Sequence, residues 1–112
     1  MIKCEALENY KFKYSYLENS VEKGFVLIEE TVDVINIVDV LTHEEYRRQG
    51  VSESIFKYII NYYKDKKDKI MLEVRKSNIP AINLYKKLGF ITIHERKNYY
   101  KDDDALIMEV KL

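Results

Sequence analysis

The sequence has one cysteine, one proline, three glycines, two histidines and no tryptophan in 112 residues. A lone cysteine, Cys4, excludes an intrachain disulfide and a thiolate zinc site. His43 and His94 are too few to anchor a metal ion, so none is expected. Neither sign of charge is in excess, because 19 Lys and Arg balance 19 Asp and Glu. Proteins that neutralise phosphates run basic, so nucleic acid is not an expected partner. No apolar run nears the roughly 20 residues that cross a bilayer, so no membrane is expected either. The first residues carry charge at Lys3 and Glu5 and do not read as a signal peptide. With 46% apolar and 34% charged residues, the composition is that of a globular chain rather than a disordered one. The expectation is a single cytoplasmic domain over residues 1–112, with one modest core.

Scarce glycine and proline make Gly24, Gly50, Pro80 and Gly89 informative, since each marks constrained backbone. Tyr10, Phe12, Tyr14 and Tyr16 alternate with Lys11, Lys13 and Ser15, which predicts a strand with one apolar face. A weaker alternation over residues 2–6 allows a short strand before it. Residues 18–24 read as a turn ending at Gly24. Strands follow from Phe25 to Ile28 and from Val32 to Leu41, so residues 1–42 form an antiparallel meander.

The period then changes. Val51, Ile55, Tyr58, Ile59 and Tyr62 recur at helical spacing and predict a helix from Gly50 to about Lys64. Ile70 to Val74 is a short strand. Pro80 opens a second helix carrying Ile82, Leu84, Tyr85 and Leu88, and Gly89 ends it. Strands from Phe90 to about Glu95 and from Ala105 to Leu112 are joined by a turn-rich segment at 98–104. The order β-β-β-α-β-α-β-β gives a mixed α/β (α+β) fold, with one mostly antiparallel sheet and two helices.

Two segments carry candidate chemistry. At residues 46–53 a strand has just ended and a helix begins, which aims free backbone N–H groups and the helix dipole at one point. Arg47 and Arg48 add charge, and Gly50 permits close approach of a bulky anion. The segment reads as a pyrophosphate cradle or as a plain exposed helix start. It lacks the Walker pattern. In the second segment, alternation puts Ile70, Leu72 and Val74 on one face and Met71, Glu73 and Arg75 on the other. Glu73 and Arg75 read as a surface pair or as site residues. Tyr85 reads as a core tyrosine with its hydroxyl at a rim.

Three stretches together carry a family resemblance. Arg47-Arg48-Gln49-Gly50-Val51-Ser52 is similar to the loop pattern Q/R-x-x-G-x-G/A. Leu72-Glu73-Val74-Arg75, Ser77-Asn78, Ala81-Ile82, Leu84-Tyr85 and Gly89-Phe90 follow at matching spacing, then Arg96, Tyr99-Tyr100, Asp104-Ala105 and Met108. Residues 40–110 resemble the second half of the GCN5-related N-acetyltransferase (GNAT) family, most closely the branch that acetylates a ribosomal-protein N-terminus. The resemblance implies acetyl-CoA as co-substrate and no metal. It implies that Val40, Leu41 and Thr42 offer backbone groups to the pantetheine arm. Arg47, Arg48, Gln49, Gly50, Val51, Ser52 and Glu53 would hold the pyrophosphate, and Asn78 would contact the cofactor. Glu73 would be the general base and Tyr85 the general acid. The part before residue 43 would be a strand meander, and residues 43–112 the cofactor-binding and catalytic half.

These residue types suit the reaction. A peptide α-amine titrates near 7.7–8.0 and a lysine near 10.4, so an α-amine needs only a modest base. A thiol titrates near 8.5, so a tyrosine near 10 can protonate a departing thiolate. The implied acceptor is a protein N-terminus, with a lysine, a small amine, or binding without turnover as alternatives. Three features depart from the family, the least of them Glu44 where many relatives have proline. Ser52 stands where Gly or Ala is usual. The two helices that follow the family's first strand have no counterpart in residues 1–34. The stripe Tyr10, Phe12, Tyr14 and Tyr16 is therefore expected to lack a cover and to meet a second copy or another protein, the alternative being that the second helix or the C-terminal hairpin folds over it.

Overall fold

The computed structural model describes all 112 residues. The strands are β1 (Ile2–Ala6), β2 (Lys11–Glu18), β3 (Val21–Glu30), β4 (Val34–Thr42), β5 (Lys69–Arg75), β6 (Ile91–Tyr100) and β7 (Asp103–Lys111). The helices are α1 (Val51–Tyr63) and α2 (Ile79–Lys87), and a single 3-10 turn at Glu44–Tyr46 precedes α1. All seven strands join one sheet in the order β1-β2-β3-β4-β5-β7-β6. Every pairing is antiparallel except β4 with β5. This is the mixed α/β fold that the sequence pattern predicts, with the weakly alternating 2–6 segment forming a full strand.

Both helices lie on one face. Tyr14, Val26, Ile28, Ile35, Ile70, Leu72 and Met108 from the strands share a buried cluster with Val51, Ile55, Phe56 and Ile59 of α1 and Ile82 and Tyr85 of α2. The opposite face carries no helix. In β5 the alternation is as read: Ile70, Leu72 and Val74 are buried, Met71 is half-buried, and Glu73 and Arg75 are exposed. The strand itself is central rather than an edge.

Four local expectations need correction. The turn between β2 and β3 lies at Asn19–Ser20, with φ of 54° and 65°, as a two-residue hairpin requires. Gly24 sits inside β3, where a Cβ would come within 2.6 Å of the Leu41 carbonyl oxygen. It is therefore a close-approach glycine, not a turn signal. The β6–β7 turn occupies only Lys101–Asp102, so β6 extends through Tyr100. On α1, Phe56 and Tyr63 are buried, whereas Tyr58 and Tyr62 are 43% and 46% exposed.

The aromatic stripe of β2 is covered from within. Tyr14 is 2% exposed, and its hydroxyl hydrogen-bonds the Tyr63 hydroxyl of α1 at 2.8 Å. Phe12 and Tyr16 pack half-buried against the same cluster. Tyr10 is outside the stripe, in the β1–β2 turn at 79% exposure. The expectation of a partner over this stripe therefore loses its basis, because α1 fills that place. The two helices missing from residues 1–34 would have stood between β1 and β2, which are here joined by a tight turn through Asn9 and Tyr10.

Candidate active site

The site is built by a strand that leaves the sheet. β4 pairs with β5 only through Val34–Asn36 against Lys69–Met71. On its other side, Leu27 pairs with Asp39 while Ile28 pairs with Ile37, so Val38 is one residue extra. Such a bulge bends its strand and increases local twist. Beyond it, β4 and β5 diverge, and a cleft of about 190 Å³ opens between them, lined by Ile37, Val40, Glu73, Asn78, Tyr85 and Tyr100 among others.

Glu73 and Tyr85 reach this cleft from different directions. Glu73 stands on the helix-free face of β5 and accepts a hydrogen bond from the Tyr100 hydroxyl at 2.9 Å. It does not pair with Arg75, whose guanidinium bonds Asp102 at 2.7 Å and lies 4.1 Å from the centre of the Tyr100 ring. Tyr100 is a site residue to which the sequence reading gave no role. Its signal was the Tyr99-Tyr100 pair at the hairpin. Burial first, then the bond to Glu73, pushes the Tyr100 phenol above its usual range.

Tyr85 belongs to α2 and is 6% exposed. Its ring is wedged edge-on against Phe56 at 5.4 Å and tilted against Phe90 at 5.8 Å. Burial pushes its phenol up to about 12. Asn78 caps α2, its side-chain oxygen accepting from the Ala81 N–H at 3.3 Å.

A second cleft, of about 280 Å³, adjoins the first across the end of β4 and the start of α2. It is lined by Thr42, Arg47, Arg48, Gly50, Ser52 and Pro80 among others. Gly50 is the N-cap of α1 with φ 74°, and nothing lies within 4 Å of where its Cβ would be. The first helical hydrogen bond of α1 runs from the Ser54 N–H to the Gly50 carbonyl. The N–H groups of Val51, Ser52 and Glu53 therefore have no partner in the chain and face outward from the helix end. Arg47 and Arg48 make no ion pair.

Not every expected group is free. The Glu53 carboxylate is held by Lys57 and Lys87, both at 3.0 Å, leaving only its backbone N–H. Val40 N–H donates to the Asp39 carboxylate at 2.9 Å, and the Thr42 carbonyl accepts from Arg47 Nε at 3.4 Å. Gln49 reaches back to the Glu45 carbonyl at 3.4 Å. The Ser52 hydroxyl, the departure from the loop pattern, lies 2.7 Å from that of Thr42 and ties the strand end to the helix start. A larger concavity, about 570 Å³, lies at the far end of the sheet around Tyr10, Glu30, Val32 and Lys67. Its lysine and one of its carboxylates, Lys67 and Glu30, are tied to each other at 3.0 Å, and no helix start opens into it.

This splayed sheet, with a helix start at the mouth of the split, defines an acyltransferase class of fold, and the comparisons agree. The acetyltransferase (GNAT) family profile matches residues 12–90, and the chain belongs to that family. A Bacillus subtilis protein provisionally named a ribosomal-protein-alanine N-acetyltransferase is 38% identical over 112 residues, 96% of this chain and 74% of that protein. An N-alpha-acetyltransferase of Sulfurisphaera tokodaii is 34% identical over 103 residues, 87% of this chain and 62% of that protein. The crystal structure of the ribosomal-protein-alanine N-acetyltransferase of Escherichia coli superposes with a TM-score of 0.87 at 28% identity, covering 94% of this chain and 71% of that one. The chain thus spans 62–74% of the length of these relatives.

Proposed function

We propose that this chain transfers the acetyl group of acetyl-CoA to an amine, and that the amine is the α-amino group of a protein N-terminus. The observation that carries the reading is the convergence of Glu73 and Tyr85, from strand and helix, on one cleft. The second cleft, farther along β4 and α2, holds the unpaired N–H groups of α1. Val51, Ser52 and Glu53 would hold the diphosphate through backbone N–H groups, with Arg47 and Arg48 adding charge and Gly50 leaving room. The edge of β4 at Val40 to Thr42 would take the pantetheine arm as an added strand, after releasing the bonds to Asp39 and Arg47.

The chemistry follows from position. The amine attacks the thioester carbonyl, forming the C–N bond, and the C–S bond then breaks. Glu73 accepts the proton that the nitrogen loses, directly or through one water. Tyr85 donates its phenolic proton to the departing sulfur. The phenol carries that proton at neutral pH, as an ordinary tyrosine does. The acceptor would reach Glu73 from the helix-free face, where its carboxylate is exposed.

A second reading, binding of acetyl-CoA without turnover, is favoured by the direct β1–β2 turn, since no helix walls the acceptor side. The experiment that separates the readings mixes the protein with acetyl-CoA and one acceptor at a time. The acceptors are a peptide beginning with alanine, an N-blocked peptide with one lysine, and a polyamine. Free thiol and acceptor mass are followed together. Release with the first peptide alone supports the N-terminal reading. Release only with the second or third moves the acceptor class. Binding without release in all three leaves the second reading.

A further inference from the structure

The two edges of the sheet are unlike. β6 is interrupted by register shifts between Thr92 and His94 and again between Arg96 and Tyr100, the kind of irregularity that blocks pairing with another chain. β1 has none. Its five residues pair with β2 in unbroken register from Ile2 to Ala6, and Lys3, Cys4, Glu5 and Ala6 are exposed.

The hydrogen bonds to β2 fix which groups of β1 face outward. The Met1 nitrogen donates to the Leu17 carbonyl at 3.0 Å, and the Leu17 N–H donates to the Met1 carbonyl at 2.8 Å. Three repeats of the two-residue alternation later, the Leu7 N–H donates to the Lys11 carbonyl at 2.8 Å. Odd-numbered residues therefore bond inward. Ile2, Cys4 and Ala6 present their N–H and C=O groups to the free edge.

The charges of the strand are a mirror pair about Cys4. In an antiparallel pairing of β1 with its own copy, centred on Cys4, Lys3 stands opposite the partner's Glu5, and Glu5 opposite the partner's Lys3. Ile2, Cys4 and Ala6 then form the hydrogen-bonded pairs. Lys3 and the partner's Glu5 fall at non-hydrogen-bonded positions, where side chains are closest, with Cα atoms about 4.5 Å apart. A slip of two residues either way sets Lys3 on Lys3 or Glu5 on Glu5. The charges thus select one register.

The helix side of this edge supplies apolar cover. Cys4 lies opposite Tyr14, and Tyr58 stands over Tyr14 at 5.9 Å between ring centres. Tyr58 and Tyr62 are stacked 4° from parallel and half-exposed, so each copy flanks the shared strand pair with two tyrosines.

We propose that β1 is a self-association edge, through which two copies form one continuous sheet with Lys3 and Glu5 paired across the two-fold axis. A five-residue contact is small for an interface, so the association is weak and is read at about 100 µM protein. Sedimentation velocity at low salt is expected to show dimer for the unmodified chain. Lys3→Glu alone and Glu5→Lys alone are each expected to be monomeric. An equal mixture of the two is expected to regain dimer, because each then meets the opposite charge. Glu5 also neighbours Lys13 of β2, so Glu5→Lys sets two lysines side by side within the chain; the exchange Lys3→Glu with Glu5→Lys carries that same change but restores the cross-axis charges, and is expected to dimerise. A monomeric unmodified chain, single variants that still dimerise, or a mixture that stays monomeric would each overturn the proposal. An unmodified chain that associates equally well in all these forms would point to another surface.

Discussion

The Tyr100 hydroxyl donates to the Glu73 carboxylate at 2.9 Å, linking the tip of the β6–β7 hairpin to the middle of β5. A hydrogen bond to a charged group contributes roughly 1.5–3 kcal/mol and fixes the orientation of its acceptor. Tyr100→Phe keeps the ring under Arg75 but frees the carboxylate. We expect kcat to fall about tenfold with acetyl-CoA affinity unchanged, as measured by steady-state rates beside calorimetry. Unchanged kcat would show that Glu73 is held well enough by its strand alone.

Glu73→Gln and Tyr85→Phe remove the proton acceptor and the proton donor while keeping shape. Each is expected to lower kcat on the order of 10²-fold. Acetyl-CoA binding should survive both, since the cradle at Gly50 is built from other residues. Turnover equal to the unmodified chain in both variants would leave the acceleration to positioning alone.

Gly50→Asp places a carboxylate where the structure has open space beside three unpaired N–H groups. The φ of 74° adds strain for any side chain, of order 1 kcal/mol. Affinity for acetyl-CoA should fall at least tenfold through charge and bulk. Gly50→Ala carries the same strain without the charge and should lose far less. Equal losses in the two variants, read by calorimetry, would remove the electrostatic part of this account.

The buried phenols predict a loss of stability in alkali. Burial raises Tyr63 and Tyr85 from 10.0 to about 12 and raises Tyr14 further in the same direction. The folded chain therefore keeps protons that the unfolded chain has released. Their contribution is complete below pH 10 and is lost as pH rises towards about 12. Tyr85→Phe should flatten that decline. Urea midpoints measured from pH 8 to 11 would show it, and an unchanged slope would contradict it.

What the sequence displayed well was periodic. The β5 alternation placed Glu73 on the open face, and Asn78 and Pro80 marked the start of α2 where it begins. Helix and strand periods depend on local spacing, so one chain suffices to read them. What it hid was long-range. Gly24 looked like a turn because its constraint comes from Leu41, seventeen residues on. Tyr14 looked uncovered because its partner, Tyr63, is forty-nine residues away. The bond between Tyr100 and Glu73 exists only because β7 lies between β5 and β6. No periodicity records that strand order.

The extra residue at Val38 makes the cleft a matter of count rather than of composition. Val38 is 47% exposed, so its side chain can be exchanged with little effect on packing. Deleting it would return β4 to even register, and Asp39 onward would continue along β5. The strands would then zip shut where the cleft now stands, giving a better-bonded sheet with no slot. Slowed amide exchange along Val40 to Thr42 would report such a sealed sheet. The split is in this sense a frame shift held in the backbone.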